Sequence, residues 1–191
     1  MLEWITSVDH AVLIFIQENF RVPWLTPVVE FISSLGNAGI FWIVMSLIFL
    51  CFKRTRRAGL AGLLSLLLCF IVTNLCLKNV VARMRPYHRF EDILPLIGHP
   101  GDFSFPSGHS ASAFAAAGAF RKYLPKKAGI LYIVLAACIA LSRLYLGVHY
   151  PTDVLAGVLV GLLSSELIGW IMKNFQQRVA AGQTRERRRQ R

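Results

Sequence analysis

Residues 58–77 read AGLAGLLSLLLCFIVTNLCL, twenty positions without a formal charge. At about 1.5 Å per residue, a helix over this run covers the ~30 Å hydrocarbon core of a bilayer. It predicts a transmembrane helix, and the rest of the chain follows suit. Of 191 residues, 55% are hydrophobic and 16% charged, against roughly 25% charged in a soluble domain. Further apolar runs at 37–52, 107–120, 128–146 and 153–172 are shorter or less pure. One or two could be core helices of a soluble domain; five in so short a chain predict a bundle in lipid. The expected fold is all-α, a polytopic membrane bundle of about five to six transmembrane helices.

The N-terminus carries Glu3 and Asp9 and no basic cluster, which does not fit a cleavable signal peptide. Trp4, Ile5, Val8, Val12, Phe15 and Ile16 recur at helical spacing, with Asp9, Gln17 and Glu18 at polar positions. An amphipathic helix lying at the membrane interface fits this pattern, as does an ordinary packing helix. Cys51, Cys69, Cys76 and Cys138 all sit in apolar runs without metal-ligand spacing and read as small hydrophobic residues.

The net charge of +11 is unevenly placed. Lys53, Arg54, Arg56 and Arg57 form one loop, and Arg121, Lys122, Lys126 and Lys127 another. Lys173, Arg178 and the run RERRRQR at 185–191 complete a total of fifteen of the 21 basic residues, with Glu186 the one acid among them. With spans between, these loops and the C-terminus share a side, which the positive-inside rule makes cytoplasmic. The expected organisation is one membrane domain over 1–176 and a basic cytoplasmic tail over 177–191, in a multi-pass cell-membrane protein. The tail reads as a solvated or headgroup-touching anchor; without aromatic or glycine interleaving it gives little support to nucleic-acid binding.

Six basic residues remain, among them Lys78, Arg85 and Arg143. Charges at a membrane boundary are costly unless paired or functional. Lys78 and Arg85 are seven residues apart, two helical turns, which predicts one face at the outer end of the second span. The sequence PSGH at 106–109 places Ser107 as a helix N-cap, Gly108 where the backbone allows close approach, and His109 within the first turn. A helix N-terminus with free N–H groups suits an anion, and His109 can give a proton to what binds there. Arg143 ends the fourth span; His149 lies in the next connection and Asp153 four residues on. A carboxylate at that spacing can accept one imidazole N–H and leave the other nitrogen as nucleophile. Taken singly, each of these residues has an ordinary structural reading: snorkelling, capping or a satisfied histidine. Two histidines, an aspartate, three cations and an anion-binding helix start on one face point instead to a phosphate.

The pattern Lys78-x6-Arg85-Pro86, Pro106-Ser107-Gly108-His109 and Ser142-Arg143-x5-His149-x3-Asp153 resembles the three-part signature of the type 2 phosphatidic acid phosphatase superfamily, with every defining position filled. The resemblance implies a metal-independent, cofactor-free phosphatase. His149 would form a phosphohistidine, Asp153 would orient it, and His109 would protonate the leaving oxygen. Lys78, Arg85, Arg143, Ser107 and Gly108 would hold the phosphoryl oxygens. Vanadium-dependent haloperoxidases share the signature, but the continuous apolar spans speak against them; an anion or lipid transporter and a purely structural membrane protein leave His149 and Asp153 without a purpose.

The motifs fall on the outer side, so the expected partners are the bilayer and a lipid phosphate at outer headgroup level. Similarity to small bacterial members of the family favours undecaprenyl pyrophosphate, then phosphatidylglycerophosphate or phosphatidic acid. Arg83, His88 and Arg89 either contact a second phosphate or form a headgroup-facing basic loop. Glu166, thirteen residues into the fifth span, reads as a helix-packing hydrogen bond or a homodimer contact.

Overall fold

The structure, a computed structural model, describes residues 2–189, with side chains for 3–179 and 181. The basic run 185–191 of the expected tail lies outside the described side chains. Among the described residues every regular element is helical. Helix α1 spans Leu2–Phe20, and α2 (Thr26–Ser34) meets α3 (Ile40–Cys51) through a short turn at Asn37–Gly39. Helix α4 (Arg56–Phe70) continues through a π-helical segment, Ile71–Leu77, into α5 (Lys78–Val81). A single turn, α6 (Pro86–Arg89), precedes a loop; α7 (Gly108–Tyr123), α8 (Lys126–Tyr145) and α9 (Pro151–Arg189) follow.

Three stretches, Arg56–Arg89, Lys126–Tyr145 and Pro151–Val179, are long and apolar enough to cross a bilayer. The pair Thr26–Ser34 and Asn37–Cys51, bent by 41°, makes a fourth if it is one span. The bend has a local cause. Ala38 and Gly39 take left-handed backbone angles, φ 50° and 67°, which interrupt the helical hydrogen-bond ladder.

Helix α7 sits at the centre, packed on α4, α8 and α9. Its sequence explains the position: Ala111, Ala113, Ala115, Ala116, Ala117 and Ala119 are all buried, and small side chains let helix backbones approach closely. Helix α9 answers with Gly157 and Gly161; a Cβ on Gly161 would stand 2.4 Å from the Ala111 carbonyl oxygen. Bulk is concentrated at one end, where Phe120 meets Phe49 and Tyr132 with ring centroids 5.0 and 5.1 Å apart.

Polarity runs opposite to that of a soluble protein. On α9, Leu155, Leu159, Leu163 and Leu167 stand four residues apart and are all exposed, an apolar stripe facing outward. Helix α1 behaves in the same way: Trp4, Val8, Val12 and Phe15 point out, whereas Asp9 is only 2% exposed. These apolar side chains are exposed, while Asp9 and Leu13 turn to the protein. Gln17 donates to the Asp92 carbonyl, and Arg21 donates to the carbonyls of Leu94 and Tyr145. All four cysteines are free. Glu166 pairs with Lys122 of α7 at 2.9 Å, a helix-packing contact within the chain.

Candidate active site

The first group of residues comes from the C-terminal end of α4–α5. Ala82, at φ 46°, ends the helix, with its N–H donated to the Lys78 carbonyl at 3.0 Å. Arg85 is extended (φ −72°, ψ 157°), as a residue before proline must be. Lys78 and Arg85 therefore do not share a helix face as the seven-residue spacing predicts. They converge through Asp102 instead. Arg85 donates from NH2 to Asp102 Oδ1 at 2.5 Å and from Nε to the Asp102 carbonyl at 2.9 Å, and Lys78 Nζ donates to Asp102 Oδ2. Burial pushes the Asp102 carboxyl up, but the hydrogen bonds from Lys78 and Arg85 outweigh it and hold the group at about 2. Asp102 is ionised at neutral pH, with its side chain still 53% exposed.

The second group is the start of α7. Ser107 Oγ caps the helix, accepting from the Ser110 N–H at 3.4 Å and the Ser110 hydroxyl at 3.0 Å. The Ser107 N–H is donated to the Asp153 carbonyl at 3.0 Å, which ties this helix start to that of α9. A Cβ added to Gly108 would lie 3.9 Å from Lys78 Nζ, so this backbone borders the Lys78 ammonium. His109 Nε2 pairs with Asn37 Oδ1 at 2.9 Å, and its ring packs on Gly36, where a Cβ would lie 2.5 Å from His109 Cδ2.

The third group lies at the α8–α9 junction. His149 is 2% and Asp153 0% exposed. Arg85 NH1 donates to His149 Nε2 at 3.2 Å and to the Val148 carbonyl at 2.8 Å. Arginine has no lone pair to offer, so Nε2 is the acceptor and Nδ1 carries the hydrogen. Nδ1 stands 3.6 Å from Asp153 Oδ2 and 3.5 Å from Ser104 Oγ. The direct His–Asp hydrogen bond of the sequence expectation is stretched to ion-pair length, because Ser104 donates to the same carboxylate oxygen at 2.5 Å and the Tyr150 N–H at 3.0 Å. Arg143 is buried on α8, with NH1 donating to Ser33 Oγ at 2.5 Å. Its buried Nε has no hydrogen-bond partner among the described residues.

Lys78, Arg85, His149, Asp153, Ser107 and Gly108 thus form one linked cluster. A cavity of about 590 Å³ opens beside it, with Lys78, Asp102, Gly108 and His109 at its polar end and Ile43, Leu63, Leu67 and Phe70 along its apolar walls. Such a space suits a molecule with an anionic head and a hydrocarbon tail. Arg83 does not front this cavity: it pairs with Asp9 at 2.7 Å and Asp153 at 2.6 Å. Of the second-phosphate residues considered from sequence, His88 and Arg89 alone are exposed. Sequence reasoning missed Asp102, Ser104 and Asn37, which lie outside the motif spacings. Among the described residues, no three His, Cys, Asp or Glu side chains group as a metal site.

The sequence profile of the PAP2 superfamily matches residues 58–177. The undecaprenyl-diphosphatase of Sulfolobus acidocaldarius is 33% identical over 141 residues, 74% of this chain and 68% of that protein. The phosphatidylglycerophosphatase B of Bacillus subtilis is 36% identical over 171 residues, 83% of this chain and 79% of that one. Among solved structures, the transmembrane PAP2-type phosphatidylglycerolphosphate phosphatase of Bacillus subtilis superposes with a TM-score of 0.74 at 33% identity, covering 89% and 87% of the two chains.

Proposed function

The chain belongs to the PAP2 superfamily, a membrane phosphatase by its relatives, and from this we propose that it removes phosphate from a lipid carrier on the outer membrane face, first of all from undecaprenyl pyrophosphate. The observation that carries the reading is the linked cluster of Lys78, Arg85 and the His149–Asp153 pair, which meets an apolar cavity through Lys78, beside Asp102, Gly108 and His109 in its lining. Asp102 supports it by accepting from Lys78 and Arg85 together, as two oxygens of a phosphoryl group would.

In this reading His149 Nε2 attacks phosphorus while the bond to the leaving oxygen breaks, and His109 delivers a proton to that oxygen. Asp153 balances the charge on the phosphorylated imidazole. Lys78, Arg85, Arg143, the Ser107 hydroxyl and the Gly108 N–H hold the phosphoryl oxygens. Water, deprotonated by His109, then attacks the phosphohistidine and releases inorganic phosphate. No step needs a metal or cofactor. The bent α2–α3 pair and α7 cross the bilayer with the three long helices, giving five spans. Helix α1 lies at the outer interface, the basic loops face the cytoplasm, and residues 177–191 form a basic cytoplasmic tail.

Phosphatidylglycerophosphate is the second reading, supported by the similarity to the Bacillus subtilis enzyme over 83% of the chain. Protein purified in detergent with EDTA should release phosphate from undecaprenyl pyrophosphate faster than from phosphatidylglycerophosphate or phosphatidic acid. The opposite order would move the assignment to the second reading; full dependence on a divalent cation would remove the mechanism.

The site also sets a pH dependence. Burial drives the His149 imidazole down; Asp153 pulls the other way, and Arg85 and Arg143 push down again, leaving it at about 4. A nucleophilic imidazole must be neutral, so rate is lost as pH falls through that value. The acid limb of kcat/KM, which reports the free enzyme, is expected near pH 4 and not near the ordinary histidine value of about 6.5.

A further inference from the structure

Behind the His149–Asp153 pair lies a second layer of charge that the motif pattern does not include. Arg83 NH1 donates to Asp153 Oδ1 at 2.6 Å and to Thr152 Oγ1 at 2.7 Å, and NH2 donates to Asp9 Oδ2 at 2.7 Å. Asp9 takes two further bonds from the start of α9: the Thr152 N–H at 3.0 Å and the Thr152 hydroxyl at 2.5 Å. The Arg83 guanidinium also lies 3.8 Å over the Tyr150 ring. Asp9 and Asp153 are both fully buried among these partners. The result is an unbroken line of charge from α1 to the histidine: Asp9, Arg83, Asp153, His149. Asp9 comes from a helix outside the residues that match the superfamily profile, 58–177.

Charge counting shows what Asp9 adds. Arg83 offsets the charge of Asp153, which weakens that carboxylate's balance of the positive imidazole that forms when His149 bonds to phosphorus. With Asp9 the three groups carry one net negative charge, held in a buried setting where it is weakly screened. Asp9 also receives the Thr152 N–H, the first free N–H of α9, the helix that carries Asp153, and so fixes where that carboxylate points. We propose that Asp9, acting through Arg83, is a positioning residue that orients Asp153 and supplies the surplus negative charge for the phosphorylated His149. This rests on His149 as nucleophile.

The groups facing His149 are Arg85 with Asp102 behind it, Ser104, Arg143 of α8 and Asp153 of α9, with His109 at the start of α7 within electrostatic reach. None of these changes when Asp9 becomes its amide isostere, so Asp9→Asn removes the charge and one acceptor oxygen while the groups facing His149 stay in place. The test uses full-length protein in detergent, with kcat, KM and the pH profile measured for wild type, Asp9→Asn and Arg83→Lys, and thermal midpoints recorded alongside. Asp9→Asn should lower kcat roughly 10- to 100-fold, less than the ~10⁴-fold seen when a directly orienting aspartate is lost, with KM within about twofold. Its acid limb should move to lower pH by about half a unit, because removing a negative charge disfavours the imidazolium. Arg83→Lys, which keeps the charge but not both hydrogen-bonding arms, should lower kcat with the acid limb in place.

A purely structural role predicts another result: activity lost only in proportion to folded protein, with the limb unmoved. That outcome, or a wild-type kcat in Asp9→Asn, overturns the inference. His149→Ala run in parallel decides the nucleophile reading separately: an inactive His149→Ala beside a normal Asp9→Asn sinks the Asp9 inference alone, while an active His149→Ala removes the reading on which it rests.

Discussion

Replacement of His149 by alanine is expected to abolish turnover, by about 10⁴-fold or more in kcat, while the protein still folds. The size follows from the role: loss of a covalent nucleophile removes the two-step path and leaves only binding and electrostatic stabilisation. The integrity of the fold follows from the contacts. Arg85 keeps the Val148 carbonyl and Asp102 when the imidazole is gone. Asp153 keeps Ser104, Arg83 and the Tyr150 N–H. No buried charge is left unpaired, which is the usual route from a site mutation to unfolding. Radiolabelled substrate, quenched in alkali, should trap an acid-labile phosphoenzyme in wild type and none in the variant. Turnover within tenfold of wild type would remove His149 as nucleophile, whatever the rest of the cluster does.

The second large effect is structural. Gly161→Leu should prevent the bundle from assembling, or lower its thermal midpoint in detergent by more than about 6 °C, the shift that a cost of roughly 3 kcal/mol produces in a chain of this size. A Cβ at this position would stand 2.4 Å from the Ala111 carbonyl oxygen, 2.8 Å from the Ala115 nitrogen and 3.0 Å from Phe114 Cβ. Two of those neighbours are α7 backbone, which cannot swing aside as the end of a long side chain can. Helix α7 would have to retreat from α9, taking Ser107 and Gly108 with it. Gly98 and Gly101 serve as controls, since a Cβ on either meets nothing within 4 Å; alanine at both should be silent. A normally folded, fully active Gly161→Leu protein would mean that α7 and α9 are further apart than described here.

The membrane-bundle character was legible because lipid solvation imposes long uncharged runs, and residues 58–77 are such a run. That Lys78, Arg85, Ser107, Gly108, His149 and Asp153 come together was legible as well, since motif spacing at helix ends survives in linear order. The Ser107 cap and the packing of small residues on α7 could be anticipated for the same reason: both are local properties of one segment. What escaped notice depends on contacts between segments far apart in the chain. Lys78 and Arg85 were expected to meet on one helix face; they meet on Asp102 because Ala82 ends the helix and a loop returns to them. The sequence offers Arg83 as a contact to a second phosphate or part of a headgroup-facing loop, yet its partners are Asp9 and Asp153, 74 and 70 residues away. Glu166 was an oddity in an apolar run until α7 brought Lys122 beside it.

By itself the sequence determined the class of fold, the long apolar helices and the chemical types gathered at one end of them, because burial in lipid and helix capping act on neighbouring residues. Tertiary structure alone decided how those groups are wired: which nitrogen of His149 accepts from Arg85, that Ser104 shares the Asp153 oxygen nearest His149, and that Asp9 of the first helix reaches the same network. The physical reason is the range of the interactions. Hydrophobic periodicity and capping extend over a few residues, whereas a buried charge must find its counter-charge wherever the packed helices deliver one.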